Sequence, residues 1–328
     1  MIITSKINWY FFCYKGSKNG RGYWKMELFQ HTLADTVVFE GEGVISGKQI
    51  TVELIPSPPN QGIIFERVDL DPPVLMRVSP ETVFAMEGAT LIRQGEGQII
   101  YIEHLLSALN GLAIDNVIIR VNGPEIPLLD GSARPYVEAI LKVGRKPQWS
   151  LRRYLRILGE FEVKNGVGRV AFRPASELKI HCEIDFPHPV IGHQETSLSV
   201  TQETYISELS YARTFGFLSD IIEKKKKGIF KGGSLENAII LDQERVLNPD
   251  GLRRPDEFVR HKALDLVGDL YLLGAPILGE ISASRSSHRL HLKALKALLQ
   301  KEDCWAWFPG PVRVPVRPVE PDLNFIVA

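Results

Sequence analysis

The stretch EFVRHKALDLVGDLYLLG, residues 257–274, places a histidine, a lysine and two aspartates on a helix that is otherwise largely apolar. At 100° per residue, His261, Lys262, Asp265, Gly268 and Asp269 share roughly one third of the circumference. Val259, Ala263, Leu264, Leu266, Val267, Leu270 and Tyr271 fill most of the rest. His261 and Asp265 are spaced i, i+4, so both side chains project from one face about a helical pitch apart. That spacing suits two ligands of one metal ion; a helix-surface ion pair is the plainer reading. The apolar setting bears on the choice, because burying these groups without partners costs several kcal/mol each. They pair with one another, bind a metal or line a wet cleft.

A catalytic zinc takes three protein ligands and leaves one position for water. The best source of a third ligand is YIEHLLSALNGLAIDN, residues 101–116, where Glu103 and His104 open an apolar helix. His104 can ligate the ion while Glu103 polarises water, as adjacent groups in metal hydrolases do. A helix-start carboxylate beside a satisfied histidine is the alternative. His288, in SRSSHRL, follows a strand and suits a general acid; the alternative there is an ordinary loop histidine.

The elements that must hold these groups come in two sets. Residues 29–140 alternate short strand-like runs (TVVFEGEGV, KQITVELIP, GIIFERVDL) with turns. A helix EHLLSALNGLA, a strand DNVIIRVNG and a helix SARPYVEAILKVG follow. The polar, basic stretch 143–150 reads as a linker. Beyond it come strands YLRILGEFEVK, GRVAFRP and LKIHCEIDF, a helix through TYISELSYAR, and a Gly-rich turn FKGGS. A strand NAIILD, the opening helix, a strand ILGEISASR and a helix HLKALKALLQ complete the set. Strands in groups followed by helices in groups indicate an α+β fold. The expected organisation is a first domain over 26–142, the linker, a second domain over 151–304 and a tail over 305–328.

The chain has 328 residues, 44% hydrophobic and 24% charged, with 39 basic and 39 acidic residues. That composition is ordinary for a globular protein, and the balance gives no global field to attract nucleic acid or an anionic membrane. Cys13, Cys182 and Cys304 are far apart and odd in number, which fits neither a disulfide framework nor a cysteine zinc knot and points to a reducing compartment. No run of 18 apolar residues exists, so no transmembrane helix is expected. The first 25 residues carry five Lys/Arg and no acidic residue. They read as an upstream start before Met26 or a tail, with a targeting segment as the alternative. EKKKK, residues 223–227, reads as a solvated helix end, with docking to anionic lipid as the alternative. The last 24 residues hold five prolines and read as an extended surface tail.

Seven blocks in order carry a resemblance from about Leu28 to Leu299. They are IEHLLSALNGLAIDN, EIPLLDGSARPYV, IDFPHPVIG, ARTFGF, KGGSLENAIILD, VLNPDGLRRPDEFVRHKALDLVGDLYLLG and the SSH turn. The chain resembles the UDP-3-O-acyl-N-acetylglucosamine deacetylases, zinc amidases of lipid A biosynthesis. The resemblance implies two α+β domains, each a sheet with helices, the helices packed between the two sheets. It implies Zn²⁺ held by His104, His261 and Asp265, with Glu103 as general base. His288 would be the catalytic histidine, Asp269 the carboxylate that orients it, and Thr214 a stabiliser of the oxyanion. Phe215 and Lys262 would contact the sugar nucleotide, and Phe186 and Asp185 the uridine end. Gly232, Gly233 and Ser234 would form a turn beside an acyl passage. The implied partner is a small molecule, a UDP-linked acylated glucosamine, and the implied protein is a cytoplasmic monomer.

The sequence departs from the family pattern in places. Ile100–Tyr101–Ile102 replaces the usual Ser-Thr-Val before Glu-His, and Tyr101 is expected to reshape the wall near the metal. GEGVISGK has Ile45 where histidine is usual, which removes a pocket imidazole but no ligand. SSH replaces SGH and is expected to stiffen the turn at His288. A silent relative that binds a nucleotide-sugar or acyl ligand, and a zinc amidase on another substrate, are the alternative functions.

Overall fold

A computed structural model describes residues 27–309. The basic N-terminal stretch 1–25 and residues 310–328 of the expected tail lie outside the described residues. The five helices used below are α1 (Glu103–Gly111), α2 (Arg134–Val143), α3 (Leu218–Lys226), α4 (Glu257–Leu270) and α5 (His288–Leu299).

The first half is built on a five-stranded sheet in the order Val37–Glu42, Gln49–Pro56, Val117–Val121, Ile63–Arg67, Val74–Arg77. Its neighbours are antiparallel except the central pair Ile63–Arg67 and Val117–Val121. Alternation in Gln49–Pro56 turns Ile50, Val52 and Leu54 inward, as a half-buried strand requires. A three-stranded antiparallel sheet, Val83–Met86, Ala89–Gln94 and Gly97–Ile100, leads directly into α1.

In the second half, Ile277–Ser284 is the organising strand. It pairs antiparallel with Gly168–Arg173 and parallel with both Leu178–Phe186 and Tyr154–Ile157. Seven strands make up this sheet. Phe215–Phe217 and Ile239–Leu241 form a small parallel pair flanking α3 in sequence. One continuous core runs through both halves: Leu54 and Ile119 from the first sheet, Leu105 and Leu109 from α1, Leu264 and Val267 from α4, and Ile180 and Ile281 from the second sheet. The fold is α+β, as the grouping of strands and helices predicts.

Four local readings change. The stretch read as a linker, 143–150, is mostly the strand Arg145–Leu151, paired antiparallel with Phe29–Leu33. Lys146, Pro147 and Trp149 of that strand are exposed, which gave the segment its linker-like composition. The run read as one strand over 154–164 breaks at Leu158–Glu160 into Tyr154–Ile157 and Phe161–Asn165. The tail's first residues, Trp305–Phe308, form a strand against Tyr154–Ile157. The helix expected through 204–213 is a short α turn, Gln202–Thr204, followed by the π turn Tyr205–Leu209.

Candidate active site

The site lies where α1 crosses α4. The crossing is close because Gly268 has no side chain: a Cβ there would stand 2.1 Å from the Glu103 carbonyl oxygen. Ser107 Oγ donates to the Leu264 carbonyl at 2.8 Å, and Asn110 Nδ2 to the Val267 carbonyl at 3.0 Å. These bonds fix the relative rotation of the helices. Gly268 therefore belongs to the polar strip of α4 for reasons of packing, while the other four strip residues join one polar cluster.

Across that crossing, His104 Nε2 lies 3.5 Å and His261 Nε2 3.4 Å from Asp265 Oδ1. The two imidazoles meet edge to face, 5.0 Å between centroids. All three residues are buried, and their ligating atoms lie within 4.8 Å of one another. Asp265 Oδ1 is buried without a hydrogen-bond partner, as is His104 Nδ1. Orphaned buried polar atoms are costly and call for a missing partner. His261 Nδ1 sits 3.1 Å from the Ala212 carbonyl, so it donates there and leaves the Nε2 lone pair facing Asp265. Burial drives the His261 pKa down to about 3 and keeps the ring neutral, as a ligand must be. Burial opposes the Asp265 charge, yet His261 and Lys262 hold its carboxyl well below the usual range. Two imidazole nitrogens and a carboxylate oxygen around one point are a fitting donor set for a divalent ion of the zinc type.

Glu103, in the first turn of α1, is buried and accepts a hydrogen bond from the Thr90 backbone amide at 3.0 Å. Burial raises its pKa to about 6, partly offset by His288 and His104. His288 begins α5 behind Ser287, whose hydroxyl caps the helix through the Leu290 amide. Its Nδ1 is 2.7 Å from Asp269 Oδ2, and its Nε2 is 3.7 Å from Asp265 Oδ2. Burial disfavours the imidazolium, but the Asp269 and Asp265 carboxylates outweigh it and hold the pKa up at about 9. Asp269 is held at about 2: burial opposes its charge, and His288 and His291 favour it.

Asp269 has more partners than the sequence reading assigns. His291 Nδ1 also lies 2.7 Å from Oδ2, and Thr90 Oγ1 donates to Oδ1 at 2.7 Å. His291 Nε2 is in turn 2.7 Å from Ser286 Oγ. The i, i+3 spacing of His288 and His291 in HRLH signals that both rings share a helix face. Thr90 sits in a hairpin, and its sequence offers no comparable signal.

Lys262 Nζ lies 2.9 Å from Asp265 Oδ2 and 5.8 Å from the centre of the Phe215 ring. Phe215 stands 6.3 Å from the His261 ring, and Phe186 packs edge-on against it at 5.7 Å. Phe217, which the sequence reading passed over, joins the same aromatic group through Phe186. The segment 212–215 is fixed by the buried ion pair of Glu257 with Arg213, at 2.9 Å, and by the Arg213 amide on the same carboxylate. Half-buried Thr214 lies between the Ala212 carbonyl that holds His261 and Phe215. Asp185 stands apart, exposed and paired with Arg285.

Gly232, Gly233 and Ser234 gather on a different wall. The Gly232 amide donates to the Val44 carbonyl at 3.1 Å, and a Cβ on Gly232 would meet the Gly43 carbonyl oxygen at 2.5 Å. Gly233 is less confined, with Phe230 Cδ1 at 3.3 Å. The loop they rest on is held by Glu125, which accepts from the amides of Ile45 and Ser46 at 2.8 Å each. Beside it, Val44, Ala89, Tyr101 and Leu128 form a second apolar cluster, joined by Ile45, Ile100 and Phe230. Tyr101 and Ile45, two of the departures from the family pattern, thus pack into one apolar cluster, and Tyr101 does so with a positive φ of 62°.

Fold and site together define a two-part α+β protein with a buried His–His–Asp cluster at the seam of its halves. The profile of the UDP-3-O-acyl N-acetylglycosamine deacetylase family matches residues 30–300, and the chain belongs to that family. Three relatives named UDP-3-O-acyl-N-acetylglucosamine deacetylase illustrate the similarity. The one from Geobacter sp. (strain M21) is 40% identical over 304 residues, covering 92% of this chain and 100% of the relative. The one from Xylella fastidiosa (strain Temecula1) is 42% identical over 286 residues, 86% of this chain and 94% of the relative. The one from Cellvibrio japonicus (strain Ueda107) is 39% identical over 298 residues, 90% and 98% respectively.

Proposed function

We propose that this chain hydrolyses the N-acetyl group of UDP-3-O-acyl-N-acetylglucosamine, releasing acetate, in lipid A biosynthesis. The observation that carries this is the buried cluster of His104, His261 and Asp265, flanked by Glu103 and His288, within a chain matched by the deacetylase family over residues 30–300.

His104, His261 and Asp265 would hold Zn²⁺, which when bound supplies Lewis-acid polarisation and acidifies water. Glu103 takes a proton from the attacking water; a pKa near 6 keeps it ionised yet basic at neutral pH. Thr214 donates toward the oxyanion as the carbonyl becomes tetrahedral. An amine leaves poorly until protonated, and His288, whose imidazolium the Asp269 and Asp265 carboxylates favour, is the donor. Asp269 fixes the His288 ring through Nδ1, leaving Nε2 toward the substrate side.

Lys262 and the Phe215–Phe186 pair offer a cation and aromatic faces to the sugar nucleotide, with Asp185 at the uridine end. The apolar cluster beside Gly232, Gly233 and Ser234 is the wall of the acyl passage. The reading includes a cytoplasmic monomer; the free buried thiols of Cys182 and Cys304 support a reducing compartment. Among the described residues no helix is long and apolar enough to cross a membrane.

The test joins metal analysis to turnover of a UDP-linked acylated N-acetylglucosamine. Stoichiometric zinc with acetate release is expected. Absence of zinc binding would overturn the reading. Zinc without turnover would point to a silent binding relative or to another amide substrate.

A further inference from the structure

The segment from Ile222 to Leu235 combines two properties found together in a bilayer-docking surface. It holds five lysines, Lys224 to Lys227 and Lys231, against a single acid, Glu223, in a chain whose total charge is zero. It also exposes three large aliphatic side chains: Ile222 at 45%, Ile229 at 41% and Leu235 at 42%. The segment is one knit lobe. Lys225 Nζ reaches the Gly233 carbonyl at 2.9 Å, Lys224 Nζ lies 4.9 Å over the Phe230 ring, and the Ile229 amide donates to the Lys224 carbonyl at 3.0 Å. Glu223 is taken up by Lys227, while Lys226 and Lys231 have no ion-pair partner among the described residues. Lysines this close act together within a Debye length.

We propose that this lobe docks the protein on the surface of an anionic lipid bilayer. Its lysines meet the headgroup charge, and Ile222, Ile229 and Leu235 enter the boundary between headgroups and acyl chains. Isolated charge would suit an acidic protein equally; the interleaved exposed aliphatics favour lipid. Phe230 of the same lobe packs on the apolar cluster of Val44 and Tyr101, so the docking surface adjoins the proposed acyl wall. The inference does not depend on the metal chemistry, and its test reads binding alone.

Full-length, metal-loaded protein is floated with phosphatidylcholine vesicles, with and without phosphatidylglycerol, at low and high salt. Binding is expected only with the anionic lipid and is weakened by salt. The first 25 residues are also basic and aromatic, so substitutions within the lobe decide the matter. K226E/K231E should weaken binding at least about tenfold, since each lysine near a charged surface contributes measurably. I222S/I229S should weaken it as well, while K179E on the distant second sheet should not. Turnover of a short-acyl soluble substrate should stay unchanged in the lobe variants. The proposal is overturned if no vesicle binds, if neutral vesicles bind equally, or if the lobe variants bind like the parent. It is also overturned if beads coated with polyglutamate retain the protein where vesicles do not, or if sedimentation shows a dimer that I222S/I229S dissolves.

Discussion

Gly268 and Glu103 touch backbone to backbone: a Cβ on Gly268 would come 2.1 Å from the Glu103 carbonyl oxygen. A peptide oxygen in a helix cannot turn aside, so any side chain there pushes α1 away from α4. Both halves of the metal cluster ride on those helices. Gly268→Ala should therefore destabilise by about 1–3 kcal/mol or more, the scale of overpacking. A melting temperature lower by several degrees and weaker zinc binding are expected together. Calorimetry and metal titration check this; unchanged zinc affinity would separate the crossing from the site.

His104→Ala and His261→Ala should each lose the metal, because two remaining ligands rarely hold a catalytic zinc. Zinc content after dialysis measures it. Retention of stoichiometric zinc in both variants would reject the ligand assignment. Chelation of the parent should lower its melting temperature, since an ion bound only by the folded state stabilises it.

Glu103→Ala should retain zinc and lose roughly 10²–10⁴ in kcat, the range for a general base. The Thr90 amide then loses its acceptor, so a small loss of stability should accompany it. Near-normal kcat would place the base elsewhere, His288 being the first group to test.

The pH dependence follows from two buried groups. In the proposed mechanism Glu103 must be ionised, so activity should fall on the acid side, below about pH 6 once a bound cation favours the carboxylate. His288 must carry its proton, so activity falls on the basic side. NMR titration of the metal-free protein should find His288 near 9, and a bound cation beside Asp265 should lower that value. Its raised pKa contributes stability that is fully present below about pH 6.5 and lost as pH rises through about 9. Asp269 works oppositely: its contribution is present above about pH 3.8 and lost as pH falls through about 2. Asp269→Asn removes the carboxylate that favours imidazolium and should move the basic limb to lower pH. An unmoved limb would dissolve the pair's proposed role.

Gly232 and Gly233 should behave differently although they are neighbours. Gly232 is pressed on the Gly43 carbonyl, so Gly232→Ala should lower the melting temperature and affect all substrates alike. Gly233 faces Phe230, its ring edge at 3.3 Å and its carbonyl oxygen at 3.6 Å, neither as close as the Gly232 contact, and Gly233→Val should fold. It should raise KM for a long-acyl substrate far more than for a short-acyl analogue. Four or five methylenes excluded, at about 0.8 kcal/mol each, amount to about 3–4 kcal/mol. Equal loss on both substrates would remove this turn from the acyl passage.

The polar strip of α4 was legible because a helix buried nearly all round has little reason to keep His261, Asp265 and Asp269 unless other groups are brought to meet them, as His104 and His288 are. Glu103 and His104 were legible as an adjacent pair at the start of an apolar helix. What periodicity cannot reveal is contact across the chain. Thr90 on Asp269 joins residues 179 apart in sequence, and nothing local marks it. The strand Arg145–Leu151 was hidden for a related reason: its exposed polar, proline and tryptophan residues gave it the composition of a loop. Gly268 was grouped with the chemical residues by angle alone, and only the neighbouring helix explains it.

The seam has a consequence for synthesis on the ribosome. Thr90, Glu103 and His104 emerge early, whereas His261, Asp265, Asp269, His288 and His291 all belong to the last third of the chain. A nascent chain that has completed its first sheet still holds one of the three proposed ligands. Truncation before residue 291 thus removes part of the proposed constellation at every length, and every shorter product should be less active. On the proposed function the constellation can be completed only late in synthesis, once α5 is available to place His288 and His291 on Asp269.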